Sequence, residues 1–168
     1  MREIEVAKQT KYTLELIFAE ANKMSVQILE SISENTNKSF IVFALISSLF
    51  TYSFLKLSEY QFEFSVLLVG CLISCFFLRK NLFPKKIDLN GALPEDIVLP
   101  FYDKYEGELL EKEYLATQIQ SYNNAIINNR NIMDKMAPRF KKAVLTMLIV
   151  FLLFGIVFLF RFIEGFRA

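Results

Sequence analysis

Seven carboxylates crowd one stretch of the sequence, between positions 95 and 113. Paired carboxylates can act as general acid and base or hold a metal ion, so this stretch is a natural candidate for chemistry. The chain has no histidine, no glycine-rich phosphate loop and no serine or cysteine in a nucleophile elbow. Acids at this density are also typical of helix starts and solvated faces. We therefore expect no enzyme, no cofactor and no metal site; the acids are Glu95, Asp96, Asp103, Glu106, Glu108, Glu111 and Glu113.

Two cysteines, Cys71 and Cys75, lie four residues apart in an apolar run and therefore on one face of a helix. A structural zinc site needs about four cysteine or histidine ligands, which this sequence does not supply. Free cysteine usually behaves as a small apolar side chain. We expect both cysteines to pack between helices.

Amide side chains are concentrated late in the polar region, where NNAIINNRN holds five asparagines in nine residues. The surrounding residues follow a heptad pattern, which indicates a helical packing stripe. Asn129 falls on this stripe, and a buried asparagine is best satisfied by its own copy or another amide, which sets register and oligomeric state. We predict an oligomer seam formed by Leu115, Ile119, Tyr122, Ile126, Asn129, Met133, Met136 and Phe140.

An adjacent face of the same helix carries further polar residues: Asn124, Asn128, Asn131, Gln120 and Lys135. One interpretation is a solvated face. The other is an amide-rich surface that donates hydrogen bonds to a ligand or a neighbouring subunit. The sequence leaves both open.

Three uncharged apolar runs, at 39–55, 64–78 and 143–160, must position these residues. A helix needs roughly 17 to 25 apolar residues to cross a bilayer, so the third run qualifies and the first two are borderline. The short link between the first two runs predicts a helical hairpin. A soluble buried hairpin is the alternative, but three such runs leave too little polar chain to cover them. We predict an all-α membrane protein with three transmembrane helices and cytoplasmic amphipathic helices, assembled through a coiled-coil-like stalk.

Lysine and arginine near the span ends predict the topology. Basic residues follow the second run at 79–86 and precede the third at 139–142, whereas the loop between the first two runs carries only Lys56. The N-terminus is therefore expected in the cytoplasm and the C-terminus outside. The predicted organisation is a cytoplasmic amphipathic helix (1–38), a transmembrane hairpin (39–78), a cytoplasmic helical region (79–142), a third transmembrane helix (143–163) and a short tail (164–168).

The N-terminal region carries an apolar stripe at steps of three and four, which predicts an amphipathic helix. Its polar side is mixed to acidic, whereas a helix lying on a membrane surface prefers a basic one. We expect the stripe to contact protein, either the later cytoplasmic helix or a neighbouring subunit, with lipid as the alternative. The stripe consists of Leu14, Ile17, Ala21, Met24 and Ile28.

The chain after the hairpin begins with turn-forming residues between positions 90 and 100. Pro94 with the two acids after it suits a first helical turn. A long helix is predicted from about 101 to 137, with Gly107 as a candidate break. Pro138 is expected to interrupt or kink this helix before the third span, because proline removes one backbone hydrogen bond.

Small and hydroxyl-bearing side chains stand out within the first two runs. In membranes such residues most often let helices approach closely and form hydrogen bonds. Lining a water-filled pore is the alternative, with Ser47, Thr51 and Ser74 as candidates. No charge lies within the runs, which argues against a proton-coupled transporter or a voltage sensor.

Basic residues cluster where the spans meet the cytoplasm. The topology rule explains most of them, with added attraction to anionic lipid. A site for an anionic ligand, such as a nucleotide or short oligonucleotide, is the second interpretation. The candidate residues are Arg130, Lys135, Arg139, Lys141 and Lys142.

The layout resembles small bacterial membrane effectors of anti-phage signalling systems, a group that includes SLATT-type proteins and Hailong-type membrane effectors. The resemblance lies in the amphipathic helix, the hairpin of spans and the stretches LPEDI and YNNAIINNRNIMDK. It implies a homo-oligomeric channel in the bacterial inner membrane. Such a channel is held closed until a cytoplasmic nucleotide or oligonucleotide opens it and depolarises an infected cell.

The leading hypothesis is thus an oligomeric pore gated by a cytoplasmic signal, with membrane lipid and further copies of the chain as partners. The alternative is a non-conducting scaffold or regulatory subunit that anchors a cytoplasmic protein.

Overall fold

A computed structural model of the chain describes residues 6–59, 61–83, 86–88 and 102–165. Within these ranges there are three α-helices, α1 (Lys11–Lys56), α2 (Gln61–Leu82) and α3 (Gly107–Gly165), and two short 3₁₀ turns, Val6–Lys8 and Tyr102–Lys104. The described part of the chain contains no strand, which confirms the all-α class. All three helices are long and apolar enough to cross a membrane, in agreement with a multi-pass membrane protein.

Helix α1 begins at a side-chain cap. The backbone N–H of Thr13 donates a hydrogen bond to Oγ1 of Thr10 at 3.1 Å, and the two hydroxyls lie 2.8 Å apart. A cap of this kind satisfies a backbone N–H that has no partner inside the helix. No glycine or proline occurs between Lys11 and Lys56, and the polar segment and the first apolar run form one continuous helix.

Helix α2 is longer than the second apolar run, which by itself is of borderline length for crossing a bilayer. Its 22 residues give about 33 Å of helix at 1.5 Å per residue, enough for a hydrocarbon core of about 30 Å. The helix gains this length because it extends beyond the uncharged run at both ends, from Gln61 and to Leu82.

Helix α3 begins at Gly107, whose φ of +56° lies in the left-handed region that glycine adopts readily. The candidate break at Gly107 is therefore the start of the helix. The chain is not interrupted at Pro138, which lies inside α3. Pro138 and Asp134 are both exposed, so the carbonyl that loses its partner is not enclosed in the core. The predicted helical turn at Pro94 lies outside the described residues.

The chain divides into two compact units. Unit 1 comprises Met1–Ser31 and Lys86–Met133, which carry most of the polar residues. Unit 2 comprises Ile32–Lys85 and Asp134–Ala168, which carry the three apolar runs.

The core of unit 2 combines all three helices. One cluster of buried side chains joins Ile46 of α1, Cys71 and Leu78 of α2, and Ala143 and Met147 of α3. A second cluster consists of Phe64, Leu67 and Val150. Cys71 is buried in the first cluster and Cys75 is half-buried against it, which agrees with the prediction that both cysteines pack between helices.

Candidate functional site

Helix α1 buries one face along most of its length. Its predicted stripe is only partly correct, because Ile17 and Met24 are 40% and 42% exposed. The inward positions are instead Phe18, which is half-buried, and Ser25, which is buried. The Phe18 ring packs edge-on against Tyr122 with the centroids 5.3 Å apart. The positions of this face, buried or half-buried at steps of four and three, are Leu14, Phe18, Ala21, Ser25, Ile28, Ile32, Asn35, Ser39, Val42, Ile46, Leu49 and Ser53.

Helix α3 buries the predicted seam within the chain itself. Ile119, Ile126, Asn129 and Met136 are buried, and the other four seam residues are half-buried. The same spacing continues along the apolar part of the helix. There it passes through Ala143, Met147, Val150 and Phe154. The use of this seam as a contact between copies stays a prediction.

Asn129 is satisfied by a backbone segment of the same chain. Its Oδ1 accepts a hydrogen bond from the N–H of Asp88 at 3.1 Å, and its Nδ2 donates to the carbonyl of Asp88 at 2.8 Å. Nδ2 of Asn128 donates to the Asp88 carboxylate at 2.6 Å. Two neighbouring asparagines thus hold the segment that follows α2. Gln120, Asn124, Asn131 and Lys135 of the adjacent face are exposed.

Within unit 1, α1 and α3 run in the same direction. Lys11 forms an ion pair with Glu111 at 2.5 Å, and Phe18 contacts Tyr122 further along both helices. Lys11 lies outside the apolar run, and the hydrogen bond to Glu111 raises the pKa of its ammonium. The two helices therefore pair in one register at their polar ends.

In unit 2 one side chain joins all three helices. Asn81 of α2 is fully buried, and its Nδ2 donates to Oγ of Ser39 in α1 at 3.3 Å and to the carbonyl of Met136 in α3 at 3.0 Å. Sequence reasoning missed this residue, because Asn81 stands among basic residues that were interpreted only as a topology signal. An amide in the last turn of a membrane helix was the available clue.

Helix α2 also approaches α3 closely. Ser74 is buried and its hydroxyl donates to the carbonyl of Ala143 at 3.2 Å. Gly70 lies against Val150 so tightly that an added Cβ would be 2.6 Å from Cγ1 of Val150. Ser74 therefore belongs to helix packing within the chain, which is the more common role of such residues in membranes.

The other two candidate pore residues lie together on a different side of the bundle. Thr51 is exposed and donates to the carbonyl of the half-buried Ser47 at 3.0 Å. Ser48, also exposed, donates to the carbonyl of Ala44 at 3.0 Å. Ala44, Ser48 and Thr51 follow steps of four and three. We call these three residues the α1 strip.

An ion pair between a buried carboxylate and an exposed guanidinium joins α2 to α3. Oε1 of Glu63 lies 2.6 Å from Nη1 of Arg161, and the Glu63 side chain is only 3% exposed. Nothing in the sequence pattern pairs these two residues, because Glu63 ends the loop between the first two apolar runs and Arg161 bounds the third. The candidate anion-binding residues show no comparable enclosure: Arg139 is half-buried, and Arg130, Lys135, Lys141 and Lys142 are exposed.

Comparison with protein-family models, with curated proteins and with solved structures finds no match for this chain.

Proposed function

We propose that this chain is one subunit of an oligomeric membrane pore, in which the polar ends of α1 and α3 pass a cytoplasmic signal to the apolar segments. The supporting observation is that both helices carry a heptad-spaced packing face from unit 1 into unit 2 without a loop or turn. We propose that a sliding or rotation of α1 against α3 in unit 1 reaches the apolar segments along these continuous helices.

Copies of the chain meet, in this proposal, through the α1 strip. The predicted seam on α3 is already covered within the chain, whereas Ala44, Ser48 and Thr51 are exposed. Small residues allow close approach of helices in a membrane. Each hydroxyl donates to a carbonyl of the preceding turn and keeps lone pairs that water can use. We leave Ser74 out of the proposed pore surface because it is buried against α3.

The proposed location is the bacterial inner membrane, with the N-terminus in the cytoplasm and the C-terminus outside. The basic residues after α2 and before the apolar part of α3 support this orientation. The resemblance to anti-phage effectors supports a nucleotide or oligonucleotide as the trigger. Anionic lipid is the proposed partner of the exposed Lys135, Lys141 and Lys142.

The first test is the mass of the purified chain in detergent, measured by native mass spectrometry. A discrete homo-oligomer is expected, and a clean monomer would remove the multi-subunit pore from consideration. Thr51→Leu should then change both the mass distribution and ion flux into liposomes. Leu45→Ile, at an exposed site outside the α1 strip, is the matched control and should change neither.

A non-conducting scaffold is the second candidate, favoured by the exposed apolar residues on the polar part of α1. Tyr12 and Leu16 are 74% and 56% exposed in unit 1, and such a surface suits a cytoplasmic protein partner. Toxicity on overexpression separates the two functions. Thr51→Leu should alter the toxicity of a pore and leave a scaffold unaffected.

A further inference from the structure

Unit 1 contains a cleft between the first turns of α1 and the Tyr102–Lys104 turn with the first turns of α3. Its volume is about 460 Å³, within the range of roughly 300 to 1,000 Å³ that is usual for small-molecule sites. All the residues that line it belong to unit 1.

One wall of the cleft is aromatic and aliphatic. Tyr102 and Tyr114 lie with their ring centroids 6.0 Å apart and their planes tilted by 58°. Leu110 and Leu115 extend this wall. Aromatic rings prefer edge-on or offset contacts with other rings, so the wall suits a flat, ring-containing ligand.

The charged side chains of the cleft carry an excess of negative charge. Lys11 lines the cleft with Glu15 and Glu111, and it forms its ion pair with Glu111. The charges of Glu15 and Glu108 also raise the pKa of Lys11. Glu108 pairs with Lys112 at 2.8 Å. The charged side chains that line the cleft are thus two carboxylates and one ammonium, and Glu15 forms no salt bridge within the described part of the chain.

We propose that this cleft binds a small aromatic cation, with the ring against Tyr102 and Tyr114 and the cationic amine at the Glu15 carboxylate. A charge-assisted hydrogen bond to a carboxylate would fix the amine end. A phosphate would be repelled by this excess of negative charge, so the site differs from the exposed basic residues of α3. The proposal does not depend on whether the chain conducts ions.

Three probes with one ring system and different charges test the site: tryptamine (cationic), indole (neutral) and indole-3-acetate (anionic). The full chain in detergent is titrated with each probe, and probe fluorescence anisotropy is measured. Because the chain has no tryptophan, indole emission comes from the probe alone. We expect saturable binding that is tightest for tryptamine and weakest for indole-3-acetate.

Two variants assign the binding to the cleft. Glu15→Gln should weaken tryptamine binding by about tenfold, the effect of losing one charged contact, and leave indole binding unchanged. Tyr114→Leu should weaken all three probes, while Tyr114→Phe keeps the ring and should retain binding even if the leucine variant fails to fold. Glu20→Gln, at an exposed acid of α1 that does not line the cleft, is the control.

The proposal is overturned if no probe binds saturably to the wild-type chain, or if indole-3-acetate binds most tightly. It is equally overturned if Glu20→Gln lowers tryptamine affinity as much as Glu15→Gln does. Unchanged binding of all three probes in a Tyr114→Leu variant with wild-type helical circular dichroism would show that the aromatic wall is not the contact.

Discussion

The side-chain amide of Asn129 makes hydrogen bonds to both backbone groups of Asp88, accepting at 3.1 Å and donating at 2.8 Å. An asparagine side chain thus pairs with one residue's peptide groups much as a neighbouring strand would. The contact fixes the chain just after α2 to the buried face of α3. It gives the asparagine-rich stretch a structural role within one chain.

Asn129→Asp should weaken this contact. The carboxylate can still accept from the Asp88 N–H but cannot donate to the Asp88 carbonyl, at a cost of about 1 to 3 kcal/mol. The measurement is hydrogen–deuterium exchange of peptides that contain residues 86–88, where exchange should accelerate. Asn131→Asp, at an exposed position on the same helix, is the control; equal acceleration in both variants would contradict the assignment.

The buried position of Asn81 predicts which of two variants is less stable. Asn81→Leu removes the hydrogen bonds to Ser39 and to the Met136 carbonyl, but Ser39 Oγ keeps its bond to the carbonyl of Asn35, so the loss should be about 1 to 2 kcal/mol. Asn81→Asp places a charge in a fully buried site and should cost several kcal/mol, roughly the penalty for an unpaired buried ion. Thermal unfolding in detergent by circular dichroism measures both.

The Asn81→Asp variant should also regain stability as the pH falls. Burial favours the neutral carboxyl group, so protonation removes the charge that the folded site disfavours. Wild type and Asn81→Leu are the references for the same pH series. A destabilisation by Asp that is smaller than that by Leu, or that does not change with pH, would show that position 81 is hydrated.

Gly70→Ala should loosen the contact between α2 and α3. The new Cβ would overlap the β-branched side chain of Val150, and overpacking of this kind costs about 1 to 3 kcal/mol. The buried Cys71 reports the effect, because a maleimide reaches its thiol only when the core opens. Gly155→Ala meets no atom within 4 Å and should leave the labelling rate unchanged. Equal rates in the two variants would mean that Val150 adjusts freely.

Because Glu63 and Arg161 form an ion pair, we expect the stability losses of their two single variants not to add in the double variant. Arg161→Gln leaves the buried Glu63 carboxylate without that cation and should lower the thermal midpoint most. Glu63→Gln should cost less, because Arg161 is more than half exposed. The double variant should be more stable than Arg161→Gln alone. Additive losses in a double-mutant cycle would indicate that the two groups do not interact in the folded chain.

The sequence by itself was sufficient to predict the three apolar helices and the heptad spacing of the buried residues on α3. Three uncharged runs predicted three helices able to span a membrane, and the heptad pattern identified the buried side of α3. These features are local, since a helix places residues three and four apart on one face regardless of its neighbours. Pro138 shows where the rule that proline ends a helix fails. Helix α3 continues through Pro138, and the carbonyl of Asp134, which loses its hydrogen bond, is not enclosed in the core.

Which groups meet across helices was decided only by the tertiary structure. On α1, Ile17 and Phe18 are both apolar. Phe18 is the one that faces inward, because its ring packs against the Tyr122 ring of α3. Asn129 was expected to pair with its copy or another amide and pairs with the backbone of Asp88. Glu63 forms an ion pair with Arg161, which is nearly a hundred positions away in the sequence. Periodicity determines which side chains share a face, whereas volume, charge and unsatisfied hydrogen bonds on other helices determine what that face contacts.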